Sequence, residues 1–161
     1  MLITFFNILT NDYKINFREK VGKIMKIAVI DGLGGGLGSQ IVEELKKSFS
    51  DRIEVMALGT NAQATSRMIN SGADTGATGE NAILINAQNV DVITGPLGIA
   101  LPNAMMGEIT PEMAEAVGGS DARKLLLGIK QPHVEVIGTG EKSISEMIND
   151  IVVKIKVELN G

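Results

Sequence analysis

Residues 32–38 read Gly-Leu-Gly-Gly-Gly-Leu-Gly and follow directly on the apolar run Ile27-Ala28-Val29-Ile30-Asp31. This pattern fits a buried strand that turns sharply into a helix. Glycine has no Cβ, so the backbone bends tightly and its N–H groups stay open to close approach. The first N–H groups of a helix lack intrahelical partners and sit at the positive end of its dipole. A turn of this kind therefore suits an anion. Gly32, Gly34, Gly35, Gly36 and Gly38 are the first candidates for holding a nucleotide or another small anionic ligand. The competing reading is that they only let helix and strand pack closely.

Periodicity sets the rest of the chain. Residues 26–31, 53–58, 90–94, 124–129 and 134–137 read as strands. Helical stripes cover 37–49, with Leu37, Ile41, Val42, Leu45 and Phe49 on one face, and then 62–70 and 80–87. Thr110 and Pro111 open a further helix. Ser143 and Glu146 have capping-box spacing ahead of a last helix lined by Ile144, Met147, Ile148, Ile151, Val152 and Ile155. Strands that alternate with helices predict a single-domain, three-layer Rossmann-like α/β fold with a mostly parallel sheet of about five strands. Only residues 130–133 separate the last two strands, so they are expected to form a hairpin with an antiparallel edge strand.

Residues 1–24 stand apart. They carry Phe5, Phe6, Phe17 and Tyr13, three of the four phenylalanines and the single tyrosine of the chain. Met25 then begins the first strand. The expectation is an extension of 24 residues, upstream of a native start at Met25, before an α/β domain over 25–161. The other reading is an N-terminal arm that covers the sheet or a partner.

Composition narrows the function. With no cysteine in 161 residues, disulfides, thiolate chemistry and cysteine-bound metals are excluded, and a cytoplasmic setting is expected. A net charge of -4, with no basic stripe, argues against nucleic acid. No apolar run reaches the ~20 residues of a membrane span. Methionines 105, 106 and 113 suit a core or a subunit contact, so a homo-oligomer is open.

The motifs stop short of naming a cofactor. Gly32, Gly36 and Gly38 match G-x-x-x-G-x-G, the spacing of short-chain dehydrogenases, but Leu37 replaces the third glycine of G-x-G-x-x-G. The second strand ends in Thr60 and Asn61 and not in an acid that would hold a ribose. A nucleotide or dinucleotide stays possible, with Mg²⁺ as a possible companion. Asp31 ends the first strand, where it would hold Mg²⁺, accept a ribose hydroxyl, act as a base, or simply accept N–H bonds from its own loop. Asp74 and Glu80 are the other candidate catalytic carboxylates. Asp74 has a turn role as its alternative.

Loops 31–38, 59–61, 72–81 and 94–98 are expected to converge on one rim of the sheet. That adds Thr60, Asn61, Thr78, Asn81, Thr94 and Gly95 as ligand-binding candidates. Thr78 doubles as a cap for the helix at 80. Asn103, Glu108 and Thr110 are further candidates; Glu108 either reaches the cleft beneath a lid over 99–110 or is a solvated acid. His133, the lone histidine, has no partner for zinc.

The words MKIAVIDGLGGGLG (25–38), ALGTN (57–61), GADTGATGEN (72–81), GPLG (95–98) and GEITPEM (107–113) resemble a bacterial family known as domain of unknown function 3842. The resemblance spans 25 to the end and implies a start near Met25, but brings no activity, cofactor or substrate. Three readings remain: a module that binds a small anionic ligand, an enzyme that uses loop carboxylates on a phosphorylated or nucleotide substrate, or a subunit that binds a partner through 99–118.

Overall fold

The computed structural model describes residues 24–161. The expectation for 1–24 falls, Ile24 apart, outside the described residues.

The strand β1 (Met25–Asp31) forms the middle of the sheet. On one side it pairs with β2 (Ile53–Gly59), from Met25 opposite Ile53 to Asp31 opposite Gly59. On the other it pairs with β4 (Val92–Pro96). The outer strands are β3 (Thr75–Thr78), beside β2, and β5 (Arg123–Leu127), beside β4. All four pairings are parallel, and the order is β3-β2-β1-β4-β5.

The unbroken apolar run of β1 reflects burial on both faces. Ile27 and Val29 join one apolar cluster, and Ala28 and Ile30 join the other. Over the first face lie α1 (Gly36–Phe49), with Ile41, Val42, Leu45 and Phe49, and α5 (Ile144–Asn160), with Ile148, Ile151 and Ile155. The helix α2 (Ala62–Asn70) adds Met68 to that cluster. Over the second face lie α3 (Glu80–Asn86), through Ile83, and α4 (Pro111–Gly119), through Met113, Ala114 and Val117. Each fully buried branched side chain contributes about 1.5–3 kcal/mol, so the two clusters hold the three layers together. The Ser143–Glu146 capping box forms in both directions, and Thr110 accepts the Met113 N–H.

The winding direction reverses at β1. The chain steps outward through β2 and β3, then returns to the far side of β1 for β4 and β5. The connections after β1 and β4 therefore diverge and leave a crevice at the carboxyl end of the sheet, where open α/β sheets take ligands.

Two sequence expectations are corrected. The antiparallel edge strand over 134–137 does not form: those residues are exposed, and only an isolated antiparallel bridge joins Gln131 to Val134. The fifth strand is β3, inside the segment 72–81 read as a loop. Its residues, Thr-Gly-Ala-Thr, are too small and polar to show an apolar alternation. Gly76 lies against Ile69, whose Cδ1 would stand 2.6 Å from a Cβ there.

Candidate functional site

The glycine turn closes around a carboxylate supplied by the chain. Asp31 Oδ1 accepts the Gly32 N–H at 2.8 Å, and Oδ2 accepts the Gly38 N–H at 2.7 Å. The residue is only 5% exposed. Burial pushes the Asp31 carboxyl above its ordinary value; the N–H groups of Gly38, Gly32 and Leu37 pull the other way, and the charge of Glu108 adds to the rise. Of the alternatives read from sequence, acceptance of N–H bonds from its own loop is the one realised in the geometry.

A second carboxylate covers the tip of the turn. Glu108 Oε2 accepts the Leu33 N–H at 2.6 Å and the Thr60 hydroxyl at 2.5 Å. Asn61 Nδ2 lies 3.2 Å from each Glu108 oxygen and donates to the Leu33 carbonyl at 2.9 Å. Asn61 also caps α2, its Oδ1 accepting the Ala64 N–H. Burial alone would raise the Glu108 carboxyl, but the bonds from Thr60, Leu33 and Asn61 outweigh it and hold it below the usual glutamate range.

The five glycines of the turn thus have different reasons. A Cβ on Gly32 would lie 2.6 Å from Glu108 Oε2, 2.7 Å from Thr60 Oγ1 and 2.8 Å from Met105 Sδ. Gly35 has φ 67°, and a Cβ there would lie 2.6 Å from Ala64 Cα. Gly38 abuts Met68 and Asp31. Packing accounts for these three. Nothing among the described residues crowds Gly34 or Gly36: a Cβ would stand 4.0 Å and 3.4 Å from the Arg67 guanidinium, at the end of a flexible side chain. Neither has a positive φ, and neither N–H has a hydrogen-bond partner among the described residues.

Gly34 and Gly36 line a cleft of about 440 Å³, together with Asp31 and the rest of the turn as far as Leu37. Its other walls are Met105 and Met106, Pro96 at the end of β4, and residues 129–132 after β5. Ile129, Pro132 and the methionines make it largely apolar, while Lys130 and Gln131 supply a cation and an amide. Lys130 forms no ion pair among the described residues. Arg67 stands over the turn from α2, with one 3.4 Å bond to the Gly34 carbonyl.

The remaining candidates scatter. Asp74 lies just before β3, at the amino edge of the sheet, paired with Lys46 at 2.8 Å and accepting the Val55 N–H. Burial would raise it, but Lys46 and the Val55 N–H together outweigh that and lower it. This position takes Asp74 off the rim where catalysis was expected. Glu80 and Asn81 are exposed in the first turn of α3, away from the cleft lining. Thr78 does not cap α3, whose N-cap is Gly79; its hydroxyl meets that of Thr65 at 2.7 Å. Thr94 is fully buried and donates to the Leu125 carbonyl. Gly95 lies where β4 crowds β1, with a hypothetical Cβ 2.2 Å from the Ile30 carbonyl oxygen. His133 is exposed outside the cleft lining.

Arg67 and Lys130 carry no motif in the sequence, and Gln131 carries none that marks it as a site residue. The cap at Asn61, which sets α2 beside the turn, was the available signal for Arg67. Lys130 and Gln131 were hidden by the hairpin expected at 130–133. Among the described residues no group of three His, Cys, Asp or Glu is placed to hold a metal ion, and no helix is long and apolar enough to cross a membrane.

Parallel strand order, helices on both faces and a cleft at the winding reversal define a three-layer, Rossmann-like α/β protein. The chain belongs to the family described as domain of unknown function DUF3842, whose model matches residues 26–160. No curated protein matches it in sequence. Among solved structures it is similar to a universal stress protein in complex with cAMP, at 15% identity and TM-score 0.39, covering 65% of this chain and 98% of that one. It is also similar to a dodecameric FMN-dependent UbiX-like decarboxylase from Escherichia coli O157:H7, at 12% identity and TM-score 0.39, covering 85% of this chain and 95% of that one.

Proposed function

We propose that the cleft beside the glycine turn binds a nucleotide or another small metabolite with an anionic group and an apolar body. The observation that carries this reading is the pair Gly34 and Gly36: both lack a side chain without any need from packing or φ, both line the cleft, and neither N–H has a partner among the described residues. An anion seated there takes those two N–H groups, with the ammonium of Lys130 across the cleft. Hydrogen bonds to a charged group are worth about 1.5–3 kcal/mol each, and an exposed helix-dipole contact only about 0.3–1 kcal/mol. Such contacts alone give weak binding. The apolar walls at Met105, Met106, Ile129 and Pro132 supply the rest by covering the body of the ligand. The volume falls within the usual range for small-molecule sites.

Asp31 and Glu108 set a limit on this ligand. Two carboxylates already occupy the N–H groups of Gly32, Leu33 and Gly38, so the anion is confined to the Gly34–Gly36 side. A catalytic reading rests on Asp31 alone. Both of its oxygens are engaged by backbone, which favours binding over turnover.

Thermal denaturation of the full chain with AMP, ATP and inorganic phosphate tests the reading. AMP is expected to raise Tm by mass action, with a smaller rise in Gly36→Ala and Lys130→Ala at equal unliganded stability. No change in Tm with any of the three probes would overturn it.

A further inference from the structure

The segment 101–110 closes over the glycine turn and carries its own latch. Buried Ile99 and Ile109 anchor its ends in the second apolar cluster. Between them the chain makes a self-contained loop: the Asn103 N–H bonds to the Ile109 carbonyl at 2.7 Å, and the Glu108 N–H to the Met105 carbonyl at 3.1 Å. Asn103, Met105, Met106 and Gly107 all have positive φ, at 63°, 55°, 57° and 90°. Three of these are not glycine, and a side chain strains the backbone in that region. Such a conformation persists only when other contacts hold it.

The side-chain contact that ties the loop to the turn by hydrogen bonds is Glu108, through Leu33, Thr60 and Asn61. Met105, three residues before it, is a wall of the cleft and packs onto Gly32. Met106, at the tip, is 95% exposed and forms the outer rim. The latch, the strained loop and the cleft wall are therefore one piece of chain.

We propose that residues 101–110 are a lid on the cleft, held closed by the Glu108 carboxylate seated in the Leu33–Thr60–Asn61 donor set, and that ligand entry and exit require this latch to release. The lid rests on the ligand-binding reading only for what passes beneath it. Latch release frees the positive-φ residues to relax, so the open state regains backbone freedom as it loses three donors. When the lid closes, Met105 returns to the space above Gly32 and excludes water from the turn.

Amide hydrogen exchange on the full chain tests the latch without any ligand. In Glu108→Ala, exchange at Leu33 and across 103–109 is expected to be at least roughly tenfold faster than in the wild type, as loss of bonds to a charged group implies. Amides within β1 and α1 stay at wild-type protection. Exchange at 103–109 within twofold of the wild type would overturn the lid. Thr60→Ala, which removes one donor and leaves the segment's own sequence intact, gives the same answer in smaller measure should Glu108→Ala fail to fold.

A second arm follows AMP association and dissociation by surface plasmon resonance, where both rate constants are expected to rise in Glu108→Ala. If AMP binds with the same rate constants in both proteins, the gate is wrong and the cleft stands. If AMP does not bind the wild type, the ligand reading fails, and the exchange arm still decides whether the latch exists.

Discussion

Asp31 Oδ2 accepts the Gly38 N–H at 2.7 Å, so a carboxylate at the end of the central strand caps the first turn of the helix that follows it. The other oxygen does the same for Gly32. The turn is thereby built around an internal carboxyl group. Asp31→Asn would set an amide donor against one of those N–H groups. It is expected to lower stability by about 1–3 kcal/mol, measured by urea unfolding at neutral pH. Wild-type stability in this variant would remove Asp31 from the architecture of the turn.

Gly32 and Gly36 differ in what surrounds them, and substitution separates their roles. Gly32→Ala drives a methyl into Glu108, Thr60 and Met105 at under 3 Å. It should cost about 1–3 kcal/mol as overpacking does. Gly36→Ala meets only the tip of Arg67 at 3.4 Å, so its unfolding midpoint should stay at or slightly above that of the wild type, given the better helix propensity of alanine. Its AMP-induced shift should shrink. Equal stability losses in the two variants would contradict the assignment of Gly36 to the ligand.

The two carboxylates at the turn impose opposite pH slopes. Glu108 titrates below its ordinary 4.5 in the fold, so its contribution is complete above 4.5 and is lost as pH falls through the lowered value. Asp31 titrates above its ordinary 3.8, so its contribution is complete below 3.8 and declines as pH rises through the raised value. Urea unfolding from pH 3 to 7 should therefore show the wild-type advantage over Glu108→Gln shrinking toward acid. The advantage over Asp31→Asn should shrink in the other direction. Parallel profiles for the two variants would refute the opposed signs.

Asp74 provides a control at the far edge of the sheet. It accepts the Val55 N–H at 2.8 Å and pairs with Lys46 at a partly exposed position. Asp74→Ala should cost about 1 kcal/mol, mostly through the orphaned N–H, since a solvent-screened ion pair adds little. The AMP-induced change in Tm should equal that of the wild type. A lost AMP response would return Asp74 to the binding rim.

Much of the scaffold is visible in the residue pattern. The run 27–30 and the stripe Ile41, Val42, Leu45 and Phe49 announce β1 and α1 because burial there is set by long apolar periodicities. The strand β3 was illegible because its hold on the sheet is backbone pairing to β2, which Thr75, Gly76, Ala77 and Thr78 do nothing to advertise. Val134, Val136 and Ile137 misled in the opposite sense: β-branched residues promise a strand, yet they lie exposed after β5. At the cleft, the glycine run was plain. Glu108 stood open between lid and solvated acid, because its role depends on a fold-back that brings together residues 75 positions apart. Arg67 and Lys130 arrive from separate elements for the same reason.

The outer margin of β3 has a consequence for crowded solutions. That strand is four residues long, has Gly76 at its second place and threonines at both ends, and among the described residues pairs only with β2. A foreign strand seeking backbone partners finds there a short, hydrophilic template with little to grip. The chain thus carries an all-parallel sheet, a format prone to edge-to-edge growth when left bare, with one border too meagre to seed fibres.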